Sequence, residues 1–191
     1  MGKELTKIFV HKYSQCTQAA RASIRLGFHD ATGWSKTAIY GGADTSTLLN
    51  DEEIKGDYND GLEDIRETAL TFLKRRNPYG VGAADFVQSV ATMVVSCSLG
   101  PRIKTYVGKI DNAKSPLIGM VPNYTANAPP SIKLSADKAF SVTDLAVLLG
   151  AHTPANQFKV DPKTTGNSSE SAQGIWNTRS NSETIANPQI S

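Results

Sequence analysis

From about Gln15 to Ala31 the chain reads as one helix, and its small apolar positions, Ala19, Ala20, Ala22, Ile24 and Phe28, mark it for close packing. The same helix carries Arg25 and His29. Four residues apart, the two share one face, one turn above the other. A cation and a titratable ring on a packed helix need a reason to be there. Asp30 follows at once, and a glycine-rich turn, Gly41-Gly42-Ala43-Asp44-Thr45-Ser46, comes shortly after. Each feature alone has an ordinary explanation: a histidine satisfied by a carbonyl, an arginine paired with a surface carboxylate, a common turn. Their coincidence is not ordinary.

The 191 residues suffice for one domain, or for two small halves that share a site. No run of eighteen apolar residues is present, so nothing is expected to span a membrane. A net charge of +2, with no basic stripe interleaved with aromatics, gives no reason to expect a nucleic-acid partner. Met1-Gly-Lys-Glu-Leu lacks the apolar stretch of a signal peptide. Two cysteines, Cys16 and Cys97, suit neither a zinc site nor a disulfide-dense scaffold; two buried thiols or one long bridge are both open on spacing alone. Asn123-Tyr-Thr and Asn167-Ser-Ser are glycosylation triplets of a kind common by chance.

Helical patterns dominate. Leu5 to about Tyr13 reads as a short amphipathic piece, and 31–57 as an ordered loop threaded with apolar residues. Asn59-Asp60-Gly61 sets up a helix whose apolar face is Leu62, Ile65, Ala69, Leu70 and Leu73, ending at Arg76 before Asn77-Pro78. Ala83 to Val95 is apolar nearly all round and belongs at the centre of the core. After Cys97 the chain turns irregular through Pro116, Pro122 and Pro129-Pro130, crossing from one half to the other. Ser141-x-x-Asp144 resembles a capping box for a helix over Val142–Ala151, which puts Leu145, Leu148, Leu149 and His152 on one apolar face. From Lys159 onward the chain is polar, with no element strong enough to close a domain.

The site classes can now be sorted. A zinc hydrolase wants a short-range histidine pair, which is absent; His11, the remaining histidine, lies in a polar segment. A serine hydrolase wants a Gly-x-Ser-x-Gly turn, and there is none. Haem fits better, since it needs one imidazole from an apolar helix as axial ligand, and His152 supplies it. Peroxide chemistry on the opposite face needs a base to move a proton between the peroxide oxygens, and a fixed cation to stabilise charge as the O–O bond breaks. His29 and Arg25 match those roles.

The strings Arg25-Leu-Gly-Phe-His29-Asp30-Ala31, Gly41-Gly-Ala-Asp44-x-Ser46 and Leu148-Leu-Gly-Ala-His152-Thr153 resemble the secreted fungal haem peroxidases, the class II group that includes lignin and manganese peroxidases. Weaker matches lie in order between them: Asn59-Asp-Gly-Leu62, Asp85-Phe86, Ser96-Cys97, Gly108-Lys-x-Asp111 and Gly119-Met-Val-Pro122. The resemblance implies a mainly α, haem-peroxidase-type fold with haem b between a distal half, about 1–110, and a partial proximal half, about 111–191. It implies His29 as distal acid/base, Arg25 as the group polarising peroxide, Asn59 as the amide fixing the His29 tautomer, Phe28 packed over the haem, and His152 as the iron ligand. Asp30, Gly42, Asp44 and Ser46 would bind a distal calcium, and Cys16 and Cys97 would form a disulfide. It further implies hydrogen peroxide and small phenolic or dye donors as reactants, a monomer without nucleic-acid or membrane partners, and an extracellular location.

Departures from the family pattern add expectations. The proximal calcium positions read Glu170, Ala172 and Asn177 beside Thr153 and the Ile175 carbonyl, so that ion should be weakened or lost. The manganese-binding acids fall at Gln18, Ala22 and Phe158, and the surface tryptophan of long-range electron transfer falls at Val147; Trp34 and Trp176 do not replace it by position. A generic low-potential peroxidase is therefore expected, with neither a manganese site nor direct lignin oxidation. Family members are substantially longer, so the closing proximal helices, and the aspartate that bonds the proximal imidazole, are expected to be missing. Two functions follow: a peroxidase acting on small donors, or a catalytically silent module that binds calcium but not haem.

Overall fold

Thr17 starts the first helix, its hydroxyl accepting the Ala20 N–H at 3.1 Å, as an N-cap does. The helix, α1, runs Gln18–Thr32 and ends at Gly33. This computed structural model describes residues 7–10, 16–38, 40–76, 80–97, 99–123, 126–157, 163, 165–167, 171 and 176–186. The elements that follow are α2 (Ser46–Leu49), a 3-10 turn (Asp57–Asn59), α3 (Glu63–Arg76), α4 (Ala83–Cys97), α5 (Ala128–Asp137), α6 (Val142–Leu149), a second 3-10 turn (Gly150–His152) and α7 (Arg179–Ala186). Among the described residues the fold is mainly α, with one isolated antiparallel bridge between Val10 and Cys16.

The core lies between α1, α3 and α4. Leu26, Ile65, Ala69, Phe72, Phe86, Val87, Val90 and Val94 are all buried in it, and the Phe72 and Phe86 rings stack with centroids 5.1 Å apart. α1 packs chiefly on α4. They come close at Gly27, where a Cβ would stand 2.7 Å from that of Ala91, so only glycine fits. Gln88 in α4 donates to the Gly27 carbonyl at 3.0 Å and secures the crossing. α4 thus takes the central place that its apolar composition calls for.

A distant residue caps α4. Asp111 accepts the Ala83 and Ala84 N–H groups at 2.9 and 2.8 Å, satisfying two of the donors a helix start leaves over. Asp111→Ala is expected to cost about 1–2 kcal/mol, as losing a cap does, visible as a lower urea midpoint with an unchanged slope.

The second half hangs on the end of α1. The Lys138 ammonium donates to the Thr32 and Trp34 carbonyls at 2.5 and 2.7 Å, and Lys36 donates to the Ala136 carbonyl at 3.0 Å. Residues 99–123 carry no helix or strand.

Several sequence expectations need correction. The piece expected over Leu5–Tyr13 is helical at 7–9 and then turns into the bridge at Val10; the rest of it lies outside the described residues. The loop over 31–57 contains α2, a short helix with no periodicity to betray it. Pro129-Pro130 does not break the chain but opens α5, where the missing N–H groups would have had no partner. The polar tail contains α7. The capping box at Ser141 and Asp144 forms, with bonds of 3.1 and 2.9 Å, but α6 stops at Leu149. His152 therefore sits in the 3-10 turn rather than on an α-helical face with Leu145, Leu148 and Leu149. Nor is α6 deeply packed: none of its residues is buried, and Leu149 is 54% exposed. Among the described elements α6 packs chiefly on α5 and the turn at 150–152, which leave much of its circumference uncovered.

Candidate active site

His29, near the C-terminal end of α1, is only 8% exposed. Its Nδ1 lies 2.9 Å from Oδ1 of Asn59, which is wholly buried. The Asn59 amide cannot be turned round, because its Nδ2 donates to the Glu53 carbonyl at 2.8 Å. Oδ1 is thus an acceptor facing the ring, so Nδ1 carries the proton and Nε2 is left as the basic nitrogen. The 3-10 turn Asp57–Asn59 brings Asn59 there; Gly56 accepts the Asn59 N–H and Asn59 accepts that of Leu62, which closes the turn and starts α3.

Arg25 lies one turn earlier and donates to the Asp60 and Tyr58 carbonyls at 2.5 and 3.0 Å. Burial lowers its pKa, while Asp60 and Glu63 oppose that shift. Burial pushes His29 down to about 4; the Arg25 guanidinium adds to this, the Asn59 bond opposes it, and His152 lowers it further. His152 is lowered by burial and then by Arg25. Residues far apart in sequence are thus in electrostatic contact.

His152 is exposed at the surface, yet enough protein surrounds it for burial to lead the causes that lower its pKa. Apolar side chains are left uncovered close in sequence to both imidazoles. Phe28 beside His29 is 42% exposed, and Leu148, at the end of α6, is 43% exposed. An apolar planar group with a metal at its centre and one imidazole available for ligation suits such surroundings, so the residues fit haem.

The glycine-rich turn lies under the same helix. Gly41 and Gly42 take φ of 94° and 104°, the left-handed region that glycine favours, and Thr45 follows at 65°. Asp44 Oδ1 accepts the Ser46 N–H at 3.1 Å. Asp30 is buried, and its Oδ1 has no hydrogen-bond partner. Burial raises Asp30 to about 7; the Thr45 N–H opposes this, the Asp44 charge adds to it, Gln88 opposes it and Glu53 adds again. Among the described residues no three His, Cys, Asp or Glu side chains converge as a ligand set. Hard oxygens from carboxylate, hydroxyl and backbone carbonyl do gather there, with one buried carboxylate oxygen unpartnered, and that suits calcium.

Sequence reasoning missed Glu53. It is buried, accepts from Ser46 and Thr47 hydroxyls at 3.3 and 2.6 Å, and through its carbonyl holds Asn59. It therefore joins the glycine-rich turn to His29. A single acid beside Ile54 in a loop has no period or motif that would have singled it out.

Other expected residues fall partly outside the described set. Thr153 is buried and Asn177 uses Oδ1 to accept the Arg179 N–H at 2.6 Å; Glu170 and Ile175 lie outside the described residues, as do His11, Phe158 and Ala172. Cys16 is buried, and the Cys97 side chain is outside the described set, so the pairing stays an expectation.

A peroxidase family model matches residues 4–184 of this chain. The chain is 31% identical over 180 residues to the versatile peroxidase VPS1 of Pleurotus eryngii, covering 90% of this chain and 48% of that protein. It is 33% identical over 175 residues to ligninase C of Trametes versicolor, covering 86% and 46%. Against manganese peroxidase 3 of Phlebia radiata the identity is 30% over 174 residues, covering 86% and 47%. The chain belongs to the peroxidase family, on its fungal class II branch. It spans about half the length of the curated relatives it matches.

Proposed function

We propose that this chain carries the distal machinery and the proximal iron ligand of a haem peroxidase that reduces hydrogen peroxide and oxidises small aromatic donors one electron at a time. The observation that carries the reading is the His29–Asn59 pair, whose fixed amide leaves a neutral basic nitrogen beside the Arg25 guanidinium. Haem, when bound, would supply the two electrons that reduce peroxide and would regain them singly from the aromatic donors. His152 would hold it from the proximal side, and Phe28 and Leu148 would offer it apolar contact.

On the distal side His29 Nε2 would take a proton from one oxygen of bound peroxide and give it to the other, which would leave as water. Arg25 lowers the cost of the negative charge that gathers on the departing oxygen, a role suited to a side chain already partly removed from water. Asn59 keeps the Nδ1 proton in place throughout, which ensures that Nε2 is the nitrogen that cycles. Asp30, Gly42, Asp44 and Ser46 would hold one calcium ion under α1. A second site around Thr153 and Asn177 would bind weakly, because Asn177 brings no charge.

The donor class follows from the edge near Gln18. Its Oε1 accepts from Arg21 at 2.8 Å and Asn156 at 3.1 Å, so a guanidinium stands where manganese would need carboxylates. Small phenols and dyes are therefore favoured over a manganese ion. The wider assignments are a distal part of about 1–110 and a proximal part of about 111–191, a Cys16–Cys97 disulfide, a monomeric state and an extracellular location.

The test is a haemin titration of the oxidised chain in calcium, followed by hydrogen peroxide. A saturable Soret band at one haem per chain, with peroxide-dependent oxidation of a phenol, supports the reading. Free-haemin absorbance alone would refute it for this chain and leave the calcium-binding module.

A further inference from the structure

Asp44 is gripped by a residue that neither the core nor the proposed reaction uses. Its backbone carbonyl accepts the Asn112 N–H at 2.8 Å, and its carboxylate Oδ2 accepts from Asn112 Nδ2 at 3.3 Å. The Asn112 amide is oriented from its other end, since Oδ1 accepts the Lys114 N–H at 3.0 Å. That turn leaves the NH2 group, and not the carbonyl, to face Asp44. The opposite carboxylate oxygen, Oδ1, accepts the Ser46 N–H at 3.1 Å. Donors on both oxygens fix the plane of the carboxylate and leave each oxygen further lone-pair capacity for an ion.

The segment that presents Asn112 is itself anchored on several sides. Asp111 caps α4, Asn50 donates to the Ala113 carbonyl at 2.9 Å, and the Lys114 ammonium lies 3.5 Å from the centroid of the Tyr40 ring. In the same neighbourhood, buried oxygens of Asp30 (Oδ1) and Glu53 (Oε2) stand without hydrogen-bond partners, and a cation shared with an oriented Asp44 would supply what they lack.

We propose that Asn112 is the positioning residue of the distal calcium site: it touches no ion and no reacting atom, but sets the angle at which Asp44 meets the ion. This rests on the calcium reading above. Removing a group that orients a metal ligand typically weakens binding by roughly 10–100-fold. The amide contact is longer than the usual ~2.7–2.9 Å of a bond to a charged oxygen, which places Asn112 at the lower end of that range.

Calcium calorimetry on the full chain, stripped with chelator and kept well below its unfolding temperature, tests this with three proteins. Asn112→Ala is expected to bind calcium about tenfold more weakly than the wild type. Lys114→Ala, which loosens the same segment without touching Asp44, is expected to keep the wild-type affinity. Should Asn112→Ala fail to fold, Asn112→Ser retains a side-chain oxygen near the Lys114 N–H, cannot reach Asp44 Oδ2, and serves in its place. Unchanged affinity on losing the amide, or equal weakening in Lys114→Ala, overturns the proposal while the calcium reading stands. A wild-type chain that binds no calcium overturns both.

Discussion

Replacing His29 with leucine is expected to slow the reaction of the haem-loaded chain with hydrogen peroxide by roughly 10²–10⁴-fold, the usual contribution of a positioned acid–base group, and to leave haemin affinity nearly unchanged. Leucine fills the space of the ring, and iron ligation is assigned to His152, so binding and turnover should separate. The pH profile adds an independent check. With His29 held at about 4, its Nε2 is already unprotonated in mildly acidic solution, so the peroxide step should be flat above about pH 5 and fall as pH drops through about 4. Removing the Asn59 bond, which favours the protonated ring, should move that fall to still lower pH. Stopped-flow absorbance in the Soret region measures all three. A His29→Leu rate equal to wild type would remove the base from the mechanism.

The same depressed pKa fixes a sign for stability. The unfolded histidine binds its proton near 6.5, while the folded one holds out to about 4. Between those values the unfolded state binds more protons, so this residue's contribution to stability is lost as pH falls.

Helix α1, its cation and imidazole, and the apolar α4 were legible because they rest on local signals: a 3.6-residue period and a four-residue spacing. The capping box at Ser141 was legible for the same reason. The links that make a site of these parts were not. The Asn59–His29 bond, thirty residues apart, was expected only through the family resemblance and from no local signal, and Glu53 joins the calcium turn to Asn59 from a loop with no period. Asp111 caps a helix that begins before it, and Asn112 reaches back to Asp44. Such bonds depend on tertiary placement, which composition does not encode. The error over α6 is of another kind. Apolar composition says that a face will be covered by something, but not that the covering lies among the described residues.

Asp30→Asn, in chelator, should gain on the wild type as pH rises from 5 to 8, by an amount on the order of 2–3 kcal/mol across the window. The reasoning starts from burial, which holds the Asp30 carboxyl up at about 7 against an ordinary 3.8. Between those values the folded state keeps a proton that the unfolded state has released. Stability from this group is therefore complete at low pH and lost as pH climbs through about 7. His29 acts in the opposite sense over an overlapping range, so the wild-type curve alone would look deceptively flat. Only the difference between wild type and Asp30→Asn isolates the carboxyl. Calcium should invert the comparison: the ion needs the ionised form, so wild-type affinity rises with pH up to about 7 and then levels off. At pH 8 saturating calcium should raise the wild-type unfolding midpoint by several degrees and leave that of Asp30→Asn nearly in place. Urea unfolding at each pH, with and without calcium, reads both effects. A constant gap between the two proteins from pH 5 to 8 in chelator would mean that Asp30 is ionised throughout, and that some other charge already occupies the place assigned to calcium.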